Sequence, residues 1–217
     1  MAYALAAASL TACDDDKTAV PPPPPMTGRS NAVAAKETAT GPSGAPTASA
    51  RAASPSRQLC AGQSSRPPPK GALKTAAAAD ATAPPASLPL GVGKWVWINL
   101  WAAWCGPCKE EMPRVLAWQE KLRAAGVLID LAFVSMDDDE RETRRFLEAQ
   151  PPGGVRATYL LPESERPGWL GALGLKGSTQ LPVHTLVAPS GQVACVIEGA
   201  VEDRDYPAIA SFLGAKH

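Results

Sequence analysis

Large side chains are missing from the first two-fifths of this chain. Before Trp95 its one aromatic residue is Tyr3, and all six tryptophans lie at or beyond Trp95. Most of the 23 prolines fall in the same early stretch, among runs of Ala, Ser and Thr. A segment this poor in bulky apolar groups cannot offset the entropy cost of ordering itself, which excludes a packed core there. An excess of charge of either sign is also lacking. Lys plus Arg and Asp plus Glu each number 21, for a formal net charge of zero. With no basic stripe interleaved with aromatics, a nucleic-acid partner is not expected. No apolar run approaches the roughly 18 to 20 residues of a membrane span.

What is present divides into three parts. Residues 1–13 are short and apolar, ending in Leu10-Thr11-Ala12-Cys13 before an abrupt acidic run at Asp14. That length suits the hydrophobic part of a signal peptide. Leu-Thr-Ala-Cys resembles the bacterial lipobox, in which the Cys becomes the lipidated N-terminus, so Cys13 is the expected lipidation site. No Lys or Arg precedes Lys17. Either the true start lies upstream of Met1, or the stretch is an Ala-rich tail with an incidental Cys. Residues 14–88 read as an Ala/Pro-rich linker, stiffened where Pro21–Pro25 favours polyproline II. Within it Cys60 reads as a stray thiol. Residues 89–217 read as one folded domain, long enough to bury a core.

Inside that domain, "KWVWINLW" is apolar on both faces, which predicts a central buried strand. A helix is expected after Cys105, with Pro113 inside it and Gly126 as its stop. Residues 127–137 predict a second strand, and "DDDERETRRFLEAQ" a second helix whose acids cap its start rather than hold a cation. "ATYLLP" predicts a short strand. Two β-rich runs around Pro189-Ser190-Gly191 predict a hairpin, followed by a last helix. The order implies an α/β sandwich around a mixed sheet. Cys195, on the hairpin, reads as a small buried hydrophobe. The Trp cluster reads as core, except for Trp104.

Cys105 and Cys108 lie two residues apart in "WAAWCGPCKEEMP". A structural zinc site needs four ligands, and beyond the pair the domain has Cys195, His184 and His217 but no second pair at ligand spacing. A structural disulfide over two residues would constrain the unfolded chain little. Redox exchange fits better. A helix beginning at Cys105 offers free N–H groups and partial positive charge to a thiolate, and Cys108 sits one turn on. Pro107 suits the first turn, where its missing N–H does no harm.

"WINLWAAWCGPCKEEMP", "LPVHTLVAPSGQV" and Gly199 together resemble the thioredoxin superfamily, most closely its extracytoplasmic TlpA-like branch, over about residues 88–217. The resemblance implies a thioredoxin-like sandwich, a central mixed sheet flanked by helices. It implies an extra strand and helix between Cys108 and Pro182. It also implies an attacking thiol at Cys105, a resolving thiol at Cys108 and a cis Pro182 beside them. The Leu181 backbone would pair with an extended substrate, while Trp104, Gly106 and Pro107 would complete the binding rim. Glu111 matches the acid of the branch's C-x-x-E-x-P motif and would take the resolving thiol's proton; the alternative is a solvated helix carboxylate. Asn99 stands where thioredoxin has a buried Asp.

The function so implied is a lipid-anchored thiol–disulfide oxidoreductase of the bacterial cell envelope or periplasm, acting as a protein disulfide reductase. It would need no cofactor beyond the Cys105–Cys108 disulfide and no metal. Its partners would be protein disulfides, apocytochrome c among them, with a membrane thiol reductase as electron donor. Two other classes stand beside it: a thiol peroxidase, and a redox-inert module that handles copper with help from His184.

Overall fold

Alternation of strand and helix along the chain produces a six-stranded sheet in the order β1-β4-β3-β2-β5-β6. In this computed structural model, residues 51–217 form one compact unit, of which 59–60, 65–175 and 180–216 are described. The strands are β1 (Lys74–Ala77), β2 (Trp95–Trp101), β3 (Ile129–Ser135), β4 (Ala157–Leu160), β5 (Val183–Val187) and β6 (Val193–Glu198). The helices are α1 (Gly106–Ala124), α2 (Glu140–Ala149), α3 (Arg166–Leu173) and α4 (Tyr206–Phe212). This is a thioredoxin-like fold. Parallel pairings β2–β3 and β3–β4 meet antiparallel pairings β2–β5, β5–β6 and β1–β4.

β2 is central and buried on both faces, as its largely apolar run, broken by Asn99 alone, requires. Its period of two separates two cores. Val96, Ile98 and Leu100 pack with Trp169, Leu170 and Leu173 of α3. Trp97 faces the other way, into a cluster with Val115, Trp118 and Leu122 of α1 and Ile209 of α4. Trp101, on that same face, joins both cysteines, Met112 of α1 and Leu147 of α2. Four tryptophans are thus core, at Trp97, Trp101, Trp118 and Trp169, whereas Trp104 is 66% exposed.

α1 runs through Pro113 without ending, and Gly126 follows it at φ +84°, a conformation that glycine enters without steric cost. α2 is capped by Asp139, whose carboxylate accepts from Arg141 N at 2.9 Å. The inserted β4 lies between β3 and β1, so the extra strand expected between Cys108 and Pro182 joins the sheet rather than a separate layer.

Two expectations need correction. The linker does not extend to residue 88, because Lys74–Ala77 forms edge strand β1, in register with Ala157–Leu160. Within "KTAA" Thr75 alone has appreciable β-propensity. The strand is held instead by its ladder, by Ala78 N donating to Arg156 O at 2.8 Å, and by Ala79 N donating to Glu148 Oε1 at 2.8 Å. At the opposite edge Arg66 pairs with Val193 of β6, and its guanidinium donates to Leu173 O at 3.0 Å. The second correction concerns Cys60, which is not a stray thiol: it forms a disulfide with Cys195 across 135 residues of sequence. Leu59 and Cys60 pack, partly buried, against the cluster that holds Cys195. Local sequence could not reveal this bond, because it depends on a pre-domain segment folding back onto β6.

Candidate active site

Cys105 closes the turn that leaves β2 and serves as N-cap of α1; its sulfur accepts from Cys108 N at 3.3 Å. The two cysteines form a disulfide with Cα atoms 5.3 Å apart. Burial distinguishes the sulfurs' residues, since Cys105 keeps 4% of its surface in solvent and Cys108 none. The free N–H groups of a 19-residue helix face the cap, where they stabilise a thiolate once the bond opens. Gly106 and Pro107 form the first turn, and Pro107 removes a donor that would have had no partner there. The preceding loop is anchored from β3, because Ala103 N donates to both carboxylate oxygens of Asp137, at 2.9 and 3.0 Å. Asp137 in turn accepts from Ser135 Oγ and Thr143 Oγ1.

On the opposite side, the Leu181–Pro182 bond is cis. Leu181 packs, partly buried, against the cluster that contains both cysteines, and Gly199 N donates to Pro182 O at 2.8 Å. Trp104 stands in solvent immediately before Cys105.

Beneath the disulfide lies a polar group sealed in apolar surroundings. Glu111 shares the buried face of α1 with Cys108, one turn along, and is 1% exposed. Its carboxylate accepts from Asn99 Nδ2 at 2.8 Å and from Val201 N at 2.9 Å. His184 Nε2 is 3.2 Å from each carboxylate oxygen. This burial rules out the solvated-carboxylate alternative for Glu111. Arg114, three residues on, donates to Val201 O at 2.9 Å, so α1 grips the loop after β6 by both backbone groups of one residue.

His184 is fully buried, and neither ring nitrogen is free. Nδ1 faces Trp97 Nε1 at 3.1 Å and Asn99 Nδ2 at 3.2 Å. Copper ligation by His184 would require breaking those bonds, and no group of three or more His, Cys, Asp or Glu among the described residues is placed to hold a metal. Sequence reading missed Asp137, Trp97 and His184 as parts of this site. The available signal was polarity in the wrong place, because Asn99 and His184 each interrupt a fully buried strand and must find partners there. Cys13 lies outside the described residues.

The disulfide thus sits at a helix N-terminus, one cysteine more accessible than the other, with a buried carboxylate on the same face of that helix. The sequence pattern of the AhpC/TSA family matches residues 73–196, more than half of the chain, and the chain belongs to that family. Thiol-disulfide oxidoreductase ResA of Oceanobacillus iheyensis is 28% identical over 109 residues, covering 50% of this chain and 52% of that protein. ResA of Bacillus subtilis is 25% identical over 111 residues, covering 51% and 56%. The chain thus spans about half the length of these relatives. Among solved structures, a thioredoxin-family thiol:disulfide interchange protein from Chlorobium tepidum TLS is similar at a TM-score of 0.48 and 21% identity, over 69% of this chain and 98% of that one.

Proposed function

We propose that the protein is a thiol–disulfide oxidoreductase that works as a reductant of protein disulfides outside the cytoplasm, held to a membrane through lipid on Cys13. The observation that carries the reading is the Cys105–Cys108 disulfide at the start of α1, with Cys105 the less buried of the two. In the reduced protein the Cys105 thiolate attacks a substrate disulfide. One substrate sulfur leaves as a thiolate and the other stays bonded to Cys105. Cys108 then attacks Cys105 Sγ, regenerates the internal disulfide and releases the second substrate sulfur, so two electrons pass from the dithiol to the substrate. A membrane thiol reductase would restore the dithiol, and no bound cofactor takes part.

The Gly-Pro pair between the cysteines, shared with thioredoxin, supports a reductant over an oxidant. The Cys60–Cys195 bond supports an oxidising compartment, since such bridges form and persist outside the cytoplasm. The relatives named ResA support the exchange chemistry. Trp104 and the Leu181 backbone would meet an extended substrate segment, for which apocytochrome c awaiting haem is a suitable chemical type.

The test is trapping. Cys108→Ser, expressed as the full chain in a bacterial envelope, should accumulate mixed disulfides on Cys105, and the wild-type protein should reduce insulin. In the same cells a palmitate analogue should label the chain through Cys13 and not after Cys13→Ala. Absence of trapped partners together with inactivity on insulin would sink the reductase reading. Rapid peroxide consumption by the wild type would move the protein to the peroxidase class.

A further inference from the structure

The family resemblance implies that Glu111 takes the resolving thiol's proton but gives no role to the imidazole that faces it. We infer that His184 is a positioning residue for this step: it acts through Glu111, and Trp97 fixes the form in which it does so. The inference rests on the exchange activity proposed for Cys105 and Cys108.

The hydrogen-bond pattern leaves little choice of tautomer. His184 Nδ1 is approached by two N–H groups, Trp97 Nε1 at 3.1 Å and Asn99 Nδ2 at 3.2 Å. An indole nitrogen can only donate, so Nδ1 must accept and its lone pair points at Trp97. The ring proton therefore sits on Nε2, which lies 3.2 Å from both oxygens of Glu111. Register makes the arrangement: Asn99 and His184 are directly opposed on the antiparallel β2–β5 pair, and Trp97 lies two residues back on the same face of β2.

Glu111 thereby receives three N–H donors, from Asn99, Val201 and His184, in place of the water that burial removes. All three are fixed. Asn99 and the Val201 backbone have no titration to offer, and His184 cannot take up a further proton at Nδ1 without facing Trp97 donor to donor. The carboxylate is then the one member of the cluster free to accept a proton from Cys108. The step balances as follows. Cys108 S–H gives its proton to Glu111, and the sulfur attacks Cys105. The Cys105–substrate S–S bond breaks as Cys105–Cys108 forms, and the substrate leaves as a thiolate, reduced by the electron pair of the broken bond. His184 neither gains nor loses a proton in this scheme. It holds the Glu111 carboxylate in place by hydrogen bonding, one helical turn from Cys108.

The test separates the two half-reactions of the full-length protein. His184→Met fills the space without an N–H donor, whereas His184→Gln can accept from Trp97 through its oxygen and donate to Glu111 through its nitrogen. His184→Met should lower kcat for insulin reduction at least tenfold, leave KM within about twofold, and slow release of the mixed disulfide by Cys108. In a Cys108→Ser background, His184→Met should form the Cys105 mixed disulfide at the wild-type rate. His184→Gln should recover most of the lost kcat. If His184→Met resolves mixed disulfides as fast as wild type, or if His184→Gln is no better than His184→Met, the assignment is wrong. A Cys108→Ser protein with His184 intact that forms no mixed disulfide at all would instead overturn the proposed exchange activity, and His184 would lose this role with it.

Discussion

At the scale of single residues, the site joins one exposed side chain to a sealed interior. Trp104 keeps 66% of its surface in solvent directly before Cys105, although an indole of that size has every reason to be buried. Under the proposed function it would offer an apolar platform beside the attacking sulfur of Cys105. Trp104→Ala should therefore leave stability within about 0.5 kcal/mol. It should raise KM for a protein disulfide about fivefold, the loss of roughly 1 kcal/mol of aromatic contact, with kcat little changed. Steady-state kinetics on insulin, beside a denaturant melt, checks both halves; a large stability loss with KM unmoved would make Trp104 a structural residue. Residues of this kind were legible in sequence, because the cysteine spacing, Pro107 and Trp104 sit within one short motif. His184 and Asp137 were not. Their roles depend on which residue faces them across a sheet or a loop, and register between strands some 85 residues apart is not written in either strand alone.

At the scale of elements, capping and electrostatics set how the helices respond to pH. The Arg141 side chain bonded to Asp139, followed by the Arg141 backbone N–H, holds the Asp139 carboxyl down at about 2, against an ordinary value of 3.8. A carboxyl lowered in the folded state binds fewer protons there than in the unfolded chain. Its stabilising contribution is complete above pH 4 or so and is lost as pH falls toward about 2. Asp139→Asn keeps the N-cap acceptor but removes the charge. Its unfolding midpoint should match wild type more closely at pH 2 than at pH 5, in melts compared across that window; a constant gap would show that the charge contributes nothing. Elements with strong periodicity, β2 and α1 above all, were readable from the chain. β1 was not, because "KTAA" resembles its Ala-rich surroundings, and only the ladder to β4 makes it a strand.

At the scale of the whole molecule, two disulfides of different design share one chain. Cys60–Cys195 ties a segment ahead of the first strand to β6 across 135 residues, where Cys195 is 2% exposed within an apolar cluster. A bond closing so long a loop constrains the unfolded chain strongly, on the order of 2–5 kcal/mol, so opening it costs far more than opening a bond across two residues. Cys105–Cys108 closes two residues at a helix start and gives the unfolded chain almost no constraint. The linker boundary and the fate of Cys60 escaped the sequence for the same reason: composition reports what a segment can do by itself, not what it does against a sheet edge. The most direct measurement equilibrates the native full-length protein in a series of dithiol–disulfide buffers, alkylates the free thiols and maps them by mass spectrometry. The account predicts that Cys105 and Cys108 open and close together, reversibly, while Cys60 and Cys195 stay bonded throughout. A Cys105–Cys108 bond that remains shut while Cys60–Cys195 opens would contradict it.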